Sequence, residues 1–151
     1  MIEITILAVM LLAGLAVGLY LRRREGAMRS APATLDRDTG ARDDLLVAAG
    51  VTGSGPAVLH FSADWCGPCA AVRRVVADAT GDLADSPHPP RDIEIDIDAD
   101  PALARALNVL SLPTTFVFDA EGRERFRISG VPKTSDLRSA LGPLTAGSAA
   151  G

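Results

Sequence analysis

The sequence predicts an α/β fold in which a mixed sheet of four to five strands is flanked by helices and preceded by one N-terminal transmembrane helix. Three observations predict it. Helical and strand patterns alternate between residues 42 and 141, two strand patterns are separated only by a turn at Glu121 and Gly122, and an uncharged stretch lies near the N-terminus. Strands joined through a helix pair in parallel and strands joined by a tight turn pair antiparallel, so the sheet is expected to be mixed.

The first element is a membrane anchor, predicted by the uncharged stretch Ile4–Leu21. Its 18 residues extend about 27 Å as a helix, close to the thickness of the hydrocarbon core. A cleaved secretory signal has basic residues before its apolar segment, whereas here that position holds Glu3. The arginines at 22–24 follow the stretch, and the positive-inside tendency places them, and the domain after them, on the cytoplasmic side of a single-pass membrane protein.

Four segments follow from these patterns. Residues 1–21 form the anchor, and residues 22–41, rich in Arg, Ala, Asp and Gly, form a flexible basic juxtamembrane linker. Residues 42–141 form the folded domain, which is long enough to bury one core. Residues 142–151 form a disordered tail, since most of them are small.

Within the domain, apolar spacing predicts a helix over 42–49, and the apolar run at 57–62 predicts a short buried strand. A second helix follows the cysteines, because apolar residues recur at helical spacing from Val72 to Ala79, and it ends near Gly81. Ile93, Ile95 and Ile97 alternate with acidic residues, which indicates a strand.

The second half of the domain begins with a short helix, for which Asp100 is the expected cap and Pro101 a first-turn residue. Strands at 114–120 and 123–129 follow, joined by the tight turn. A last helix places Leu137 and Leu141 on one side. The predicted order of the domain is αβαβαββα.

Composition excludes two classes of protein. The 151-residue chain carries 15 Lys and Arg against 19 Asp and Glu, a net charge of -4, and so lacks the positive excess with which nucleic-acid binders displace counterions. Its two cysteines, Cys66 and Cys69, are too close in sequence to cross-link distant parts of a fold, which excludes a disulfide-stapled scaffold.

The two cysteines lie between a predicted strand and the first turn of a predicted helix. Free N–H groups and the positive end of the helix dipole favour a thiolate at this place, so Cys66 is the expected nucleophile. Cys69, one turn further, can attack the mixed disulfide and close a ring with Cys66. Gly67 removes bulk, and Pro68 is tolerated because the N–H it lacks has no partner in a first turn.

Two alternatives concern the same cysteines. A zinc site could recruit His60 and His88, but neither histidine has the usual paired spacing. The pair could also be purely structural. We expect redox chemistry rather than a metal site.

The motifs SADWCGPC at 62–69 and SLPTTFVFDAEG at 111–122, together with Gly130, resemble the thioredoxin family over residues 42–141. The resemblance implies the thioredoxin fold, a cis peptide bond between Leu112 and Pro113, and a reducing rather than oxidising pair, since no histidine stands between the cysteines. It also implies a redox-active disulfide between Cys66 and Cys69 with no bound cofactor or metal. The residues that it assigns to the substrate-binding surface are Trp65, Gly67, Pro68, Leu112, Pro113 and Gly130.

Two positions depart from the family pattern. His60 stands six residues before the nucleophile, where many thioredoxins have a buried aspartate that helps to deprotonate the resolving thiol. Glu94 stands where a lysine commonly pairs with that aspartate. We hypothesise that His60 and Glu94 lie on adjacent strands beneath Cys69 and that one of them relays its proton. The alternative is a hydrogen-bonded core histidine.

The function expected from these features is a membrane-anchored thiol-disulfide oxidoreductase that reduces disulfide-containing protein substrates. The resemblance implies that electrons arrive from NADPH through a thioredoxin reductase-like donor. Two alternatives stay open. One is an extracytoplasmic thioredoxin-like protein of cytochrome c maturation; the other is a non-catalytic module that binds a partner in the groove beside Pro113.

Overall fold

A five-stranded sheet organises the computed structural model, which describes residues 2–24, 28–30, 39–52 and 55–146. The helices are α1 (Ile2–Arg24), α2 (Thr39–Ala48), α3 (Cys69–Gly81), α4 (Pro101–Ala106) and α5 (Thr134–Thr145). The strands are β1 (Met28–Ser30), β2 (Ala57–Ser62), β3 (Arg91–Asp96), β4 (Thr114–Phe118) and β5 (Glu124–Ser129).

The sheet is mixed, as predicted, with the strand order β1-β5-β4-β2-β3. β2 and β3 are parallel because α3 connects them, whereas β4 and β5 form an antiparallel hairpin. Gly122 in the turn of this hairpin has a φ of 80°, a conformation that glycine adopts without strain. Asp100 caps α4 as predicted, since its carboxylate accepts a hydrogen bond from the Leu103 N–H at 3.0 Å.

Helices cover both faces of the sheet because apolar residues occupy both sides of its central strands. On one face, Phe61 and Phe116 pack with residues of α2 and α4. On the other face, Val58 and Val117 pack with residues of α3 and α5. The end of the sheet where β2 stops and α3 starts is therefore supported from both sides.

Two segments differ from the predicted division of the chain. Met28–Ser30, inside the predicted flexible linker, form the edge strand β1, which pairs antiparallel with β5. Three residues are too few to show a periodic pattern, so the strand is set by its pairing with β5. The same predicted linker also contains the start of α2 at Thr39.

The tail predicted to be disordered is also partly folded. α5 continues through Pro143 to Thr145, and the side chain of Thr145 is buried. Its carbonyl oxygen accepts a hydrogen bond from the His88 N–H at 3.1 Å. Small residues suggested disorder by composition, but this tertiary contact holds the last turn in place. Residues 147–151 lie outside the described residues.

The predicted anchor falls on α1, which forms one continuous helix. Side-chain surroundings are described for residues 5–20, and large apolar side chains such as Leu7, Met10 and Leu11 are exposed there. Within the described part of the chain, no helix reaches the length and apolarity of a membrane span. The transmembrane assignment of residues 1–21 stays a prediction.

Candidate active site

Cys66 and Cys69 lie in a tight turn between β2 and α3. The Cys66 N–H donates to the carbonyl oxygen of Ala63 at 3.0 Å, and the Cys69 N–H donates to that of Cys66 at 3.2 Å. Pro68 occupies the position before the first helical residue with a φ of -67°, which suits the ring of proline. The local sequence therefore presents both sulfurs at the N-terminus of a helix, as predicted.

The two cysteines are joined by a disulfide bond, with an S–S distance of 2.05 Å and Cα atoms 5.5 Å apart. Their exposures differ: Cys69 is buried, at 1% exposure, whereas Cys66 is partly exposed. A substrate sulfur can therefore approach Cys66 from solvent but not Cys69. This asymmetry is what a nucleophile and a resolving cysteine require.

The N-terminus of α3 favours negative charge. The helix has 13 residues, carries no acidic residue in its first turn, and has no side-chain hydrogen bond at its cap. No acidic side chain therefore offsets the positive end of the helix dipole, which can stabilise a thiolate on Cys66 when the disulfide is reduced.

Trp65 and Gly67 flank the exposed sulfur. The ring of Trp65 is 70% exposed, and its Nε1 donates a hydrogen bond to Oδ2 of Asp98 at 3.0 Å, which fixes the indole beside the turn. An added Cβ at Gly67 would meet nothing within 4 Å. A side chain at position 67 would therefore obstruct a molecule that approaches the turn, but it would not disturb the packing of the chain.

The peptide bond between Leu112 and Pro113 is cis, as the resemblance implied. Pro113 is buried and directly precedes β4, whose first residue, Thr114, pairs with Phe61 near the end of β2. The Gly130 N–H donates to the carbonyl oxygen of Pro113 at 2.9 Å. Pro113 and Gly130 are thus joined at the end of the sheet where the cysteines lie.

His60 is buried at 2% exposure in the middle of β2. Strand register places it beside Glu94 on β3 and Thr115 on β4, so the predicted adjacency of His60 and Glu94 is present in the sheet. Side chains alternate along a strand, and His60 therefore shares its face with Val58, which packs beneath α3. Sγ of Cys69 lies 3.9 Å from the carbonyl oxygen of Phe61, the residue after His60.

The partners of the two predicted relay residues differ from those expected. Nε2 of His60 lies 3.1 Å from Oδ1 of Asp92, and Glu94 instead accepts a hydrogen bond from Nε of Arg73 at 2.6 Å. Burial by itself raises the pKa of Glu94, but hydrogen bonds from Ser62 and Arg73 and the charge of Arg73 outweigh it and hold that pKa below its usual value of 4.5. Glu94 is thus kept ionised by its partners.

Two buried polar atoms of the same cross-strand pair have no hydrogen-bond partner in the described part of the chain: Nδ1 of His60 and Oγ1 of Thr115. Sequence analysis did not identify Asp92, Arg73 or Thr115. The period-two pattern of β3 could have indicated Asp92, because Asp92 lies on the same face of the strand as Glu94. Arg73 and Thr115 come from other elements, and no local pattern indicates them.

Neither sulfur is free to bind a metal while the disulfide is closed. Among the described residues, no group of three or more His, Cys, Asp or Glu side chains has a metal-binding arrangement. The site as built consists of the disulfide, the helix N-terminus, the segment at Pro113 and the buried histidine.

Comparison with known proteins matches this arrangement. Residues 47–142 match the family model described as thioredoxin. The chain is 36% identical over 83 residues to Thioredoxin Asp f 28 of Aspergillus fumigatus, which covers 55% of this chain and 72% of that protein. It is 37% identical over 84 residues to a thioredoxin of Mycolicibacterium smegmatis, which covers 55% of this chain and 74% of the relative.

Solved structures of thioredoxins share the fold. A chloroplastic thioredoxin z superposes with a TM-score of 0.56 at 24% sequence identity, covering 78% of this chain and 99% of the other. The thioredoxin-2 of a malaria parasite superposes with a TM-score of 0.52 at 22% identity, covering 60% of this chain and 94% of the other. At these identities the superpositions support the fold alone.

Proposed function

The chain belongs to the thioredoxin family, and on that premise we propose that it is a membrane-anchored reductase of disulfides in proteins near the membrane. As a member of the family it is a thiol-disulfide oxidoreductase that acts on disulfide-containing substrates. Its chemistry proceeds through the redox-active disulfide of Cys66 and Cys69 without an external cofactor. The direction of the reaction, the membrane anchor and the roles of individual residues are parts of the proposal.

The reaction begins with the reduced pair. The thiolate of Cys66 attacks one sulfur of the substrate disulfide, which forms a mixed disulfide and releases the first substrate thiolate. The thiolate of Cys69 then attacks Sγ of Cys66, closes the intramolecular disulfide and releases the second substrate thiolate. Two electrons pass from the protein to the substrate. The unequal exposure of the two sulfurs at the N-terminus of α3 is the observation that carries this assignment.

The proposed binding surface for the substrate surrounds Cys66. Trp65 offers an exposed apolar face, and Gly67 and Pro68 leave the approach to the exposed sulfur open. Leu112 would offer backbone hydrogen bonds to an extended substrate segment, while Pro113 and Gly130 shape the groove beside it. The hydrogen bond between Gly130 and Pro113 supports their assignment to one surface.

His60 is the better candidate for the proton relay. A carboxylate oxygen accepts hydrogen bonds, so in the proposed tautomer Nε2 of His60 carries the ring proton toward Asp92 and Nδ1 is left as a base. Glu94 is less suited, because its bond to Arg73 holds the carboxylate in its ionised form. We assign to Nδ1 of His60 the proton that Cys69 loses before it attacks.

The direction is tested by the equilibrium reduction potential of the pair. The full chain is equilibrated in neutral detergent with dithiothreitol buffers, and the fraction of closed disulfide is measured by thiol labelling. A potential near about -270 mV supports a reductase supplied by a thioredoxin reductase-like donor, whereas one near about -120 mV identifies a strong oxidant and contradicts the proposal.

The anchor is proposed on the uncharged stretch Ile4–Leu21, and the cytoplasmic side on the arginines that follow it. Sealed membrane vesicles of known orientation, treated with protease, test both. Recovery of the chain in the membrane fraction with the domain digested from the cytoplasmic face supports the proposal. Digestion from the opposite face favours the role in cytochrome c maturation, and recovery in the soluble fraction contradicts an anchor.

A non-catalytic binding role is separated from catalysis by the double variant Cys66→Ser/Cys69→Ser. If the variant loses disulfide reduction and its cells behave like cells that lack the chain, the result supports catalysis. If cells with the double variant behave like wild-type cells, the result favours binding in the groove beside Pro113.

A further inference from the structure

The face of the sheet opposite α3 carries a pocket that the disulfide chemistry does not use. It encloses about 360 Å³, a volume that accommodates a small ligand. Three arginines from three elements line it: Arg29 of β1, Arg42 of α2 and Arg127 of β5. The sequence analysis placed Arg29 in the flexible linker and Arg42 at the start of the folded domain, so this arrangement depends on the pairing of β1 with β5.

Positive charge exceeds negative charge in this pocket. Glu124 pairs with two of the arginines: it accepts hydrogen bonds from Nη2 of Arg42 at 2.9 Å and from Nε of Arg127 at 3.0 Å. Its side chain is only 7% exposed, so it is enclosed by these contacts. Arg29 forms no ion pair with any described residue. Three guanidinium groups against one carboxylate leave an excess of two positive charges.

The arginines are held close together despite their repulsion. Arg29 and Arg127 are directly opposite each other in the antiparallel pairing of β1 and β5, an arrangement that destabilises a sheet when both residues carry the same charge. The guanidinium of Arg127 also lies over the ring of Phe116, 4.6 Å from its centroid, which restricts how far it can move away. An anion shared by the two arginines would remove this repulsion.

Arg42 has a further donor to offer. Its Nε is buried and has no hydrogen-bond partner within the described ranges, which is costly for a charged group. Arg42 lines the pocket, and beyond the Nη2 donor that Glu124 occupies, its guanidinium group keeps Nε and Nη1 for an acceptor.

We propose that the pocket formed by Arg29, Arg42 and Arg127 binds a phosphate group, carried either by a soluble phosphate ester or by the headgroup of an anionic phospholipid. A phosphate dianion matches the excess of two positive charges. Its oxygens accept the paired hydrogen bonds that planar guanidinium groups donate. Glu124 orients Arg42 and Arg127 toward each other and keeps them in place when the ligand leaves.

The test titrates inorganic phosphate into the full chain in neutral detergent, by calorimetry, at an ionic strength held constant with sodium chloride. We expect saturable binding at one site, weakened about tenfold or more by Arg29→Gln. Arg74→Gln is the matched control, because it removes the same charge from an exposed position on α3, across the sheet, and should leave the affinity unchanged. Both variants should retain disulfide reduction, which verifies their folding.

Two results would overturn the proposal: no saturable binding of phosphate to the wild-type chain, or equal weakening by Arg29→Gln and Arg74→Gln, which would indicate a general charge effect. The source of the phosphate is distinguished by repeating the titration in micelles that contain either phosphatidic acid or phosphatidylcholine. Loss of binding only with phosphatidic acid assigns the pocket to a lipid headgroup, and equal binding in both assigns it to a soluble phosphate ester.

Discussion

The ring of His60 has one nitrogen held by Asp92 and the other without a partner among the described residues. This combination is compatible with the proposed role as a base, because a ring with both nitrogens bonded has no lone pair to offer. In the proposed relay the carboxylate of Asp92 orients the ring, so Asp92 would be a positioning residue.

Replacing His60 by Gln should slow the formation of the Cys66–Cys69 disulfide about a hundredfold at neutral pH, because a general base contributes on this scale. The deficit should shrink as the pH rises, since hydroxide then deprotonates Cys69 without the relay. Stopped-flow measurement of the resolving step across pH checks both statements. Glu94→Gln is the control and should have little effect. An unchanged rate in the His60 variant at every pH would leave His60 as a core residue.

Local sequence was sufficient to identify the reacting residues but not those that support them. Cys66 and Cys69 were predicted because a strand, a turn and a helix follow one another along the chain, and that order fixes the sulfurs at a helix N-terminus. The partner of His60 depends on which strand lies beside β2 and in what register. Such contacts between strands leave little trace in the sequence of either one.

Among the elements, the β4–β5 turn depends on one buried carboxylate. Asp119 accepts hydrogen bonds from the N–H groups of Glu121 and Arg123 and from Nε of Arg123. Burial by itself raises the pKa of Asp119, but its hydrogen bonds with Arg123 and the charges of Arg123 and Arg125 outweigh it and hold that pKa below its usual value of 3.8.

Because the folded-state pKa of Asp119 is lowered, the ionised form stabilises the fold at pH values above 3.8, and this stability is lost as the pH falls through the lowered value. Asp119→Asn should reduce the free energy of unfolding by about 1 kcal/mol at neutral pH. It should also weaken the dependence of that free energy on pH in the acid range. Urea unfolding at several pH values measures both effects. Glu121→Gln, which alters an exposed partner of Arg123, should change almost nothing. Equal effects of the two variants would contradict the assignment.

The end of α5 offers a second prediction. Truncation after Leu141 removes Leu144, which packs on the core, and Thr145, which accepts the hydrogen bond from His88. We expect a loss of about 2 kcal/mol in the free energy of unfolding. Truncation after Ala146 is the matched control and should cost nothing measurable. If both truncations leave the stability unchanged, the last turn does not contribute to the core.

The predictions from composition were wrong for the end of α5 and for β1, and the physical reason is the same. Most residues after Leu141 are small, and Met28–Ser30 are three residues without a periodic pattern, so neither segment favours a helix or a strand by itself. Each is ordered by contact with the rest of the domain, the first through the core and the loop at His88, the second through backbone pairing with β5. The long periodic elements α3 and β3 needed no such help and were predicted.

For the whole molecule, the state of the disulfide and the stability of the fold are linked. Closing a ring between Cys66 and Cys69 restricts the unfolded chain, which the chain-entropy account values at about 2 kcal/mol for so short a loop. The oxidised protein should exceed the reduced protein in unfolding free energy by about this amount, measured by urea unfolding with and without dithiothreitol. Cys66→Ser/Cys69→Ser should match the reduced protein. If the reduced form is at least as stable as the oxidised one, stabilisation of the thiolate at the helix N-terminus offsets the effect of the disulfide on the entropy of the unfolded chain.

With α1 anchored in a membrane, as we propose, the pairing of β1 with β5 would limit how far the catalytic domain reaches from the lipid. A flexible linker over 22–41 would give the catalytic domain a wide radius of action, whereas β1 leaves only residues 25–27 between α1 and the sheet. Those residues bridge at most about 14 Å even when fully extended. The distance of Cys66 from the lipid surface would then vary little. Substrates would be selected by whether their disulfides lie at that distance from the lipid.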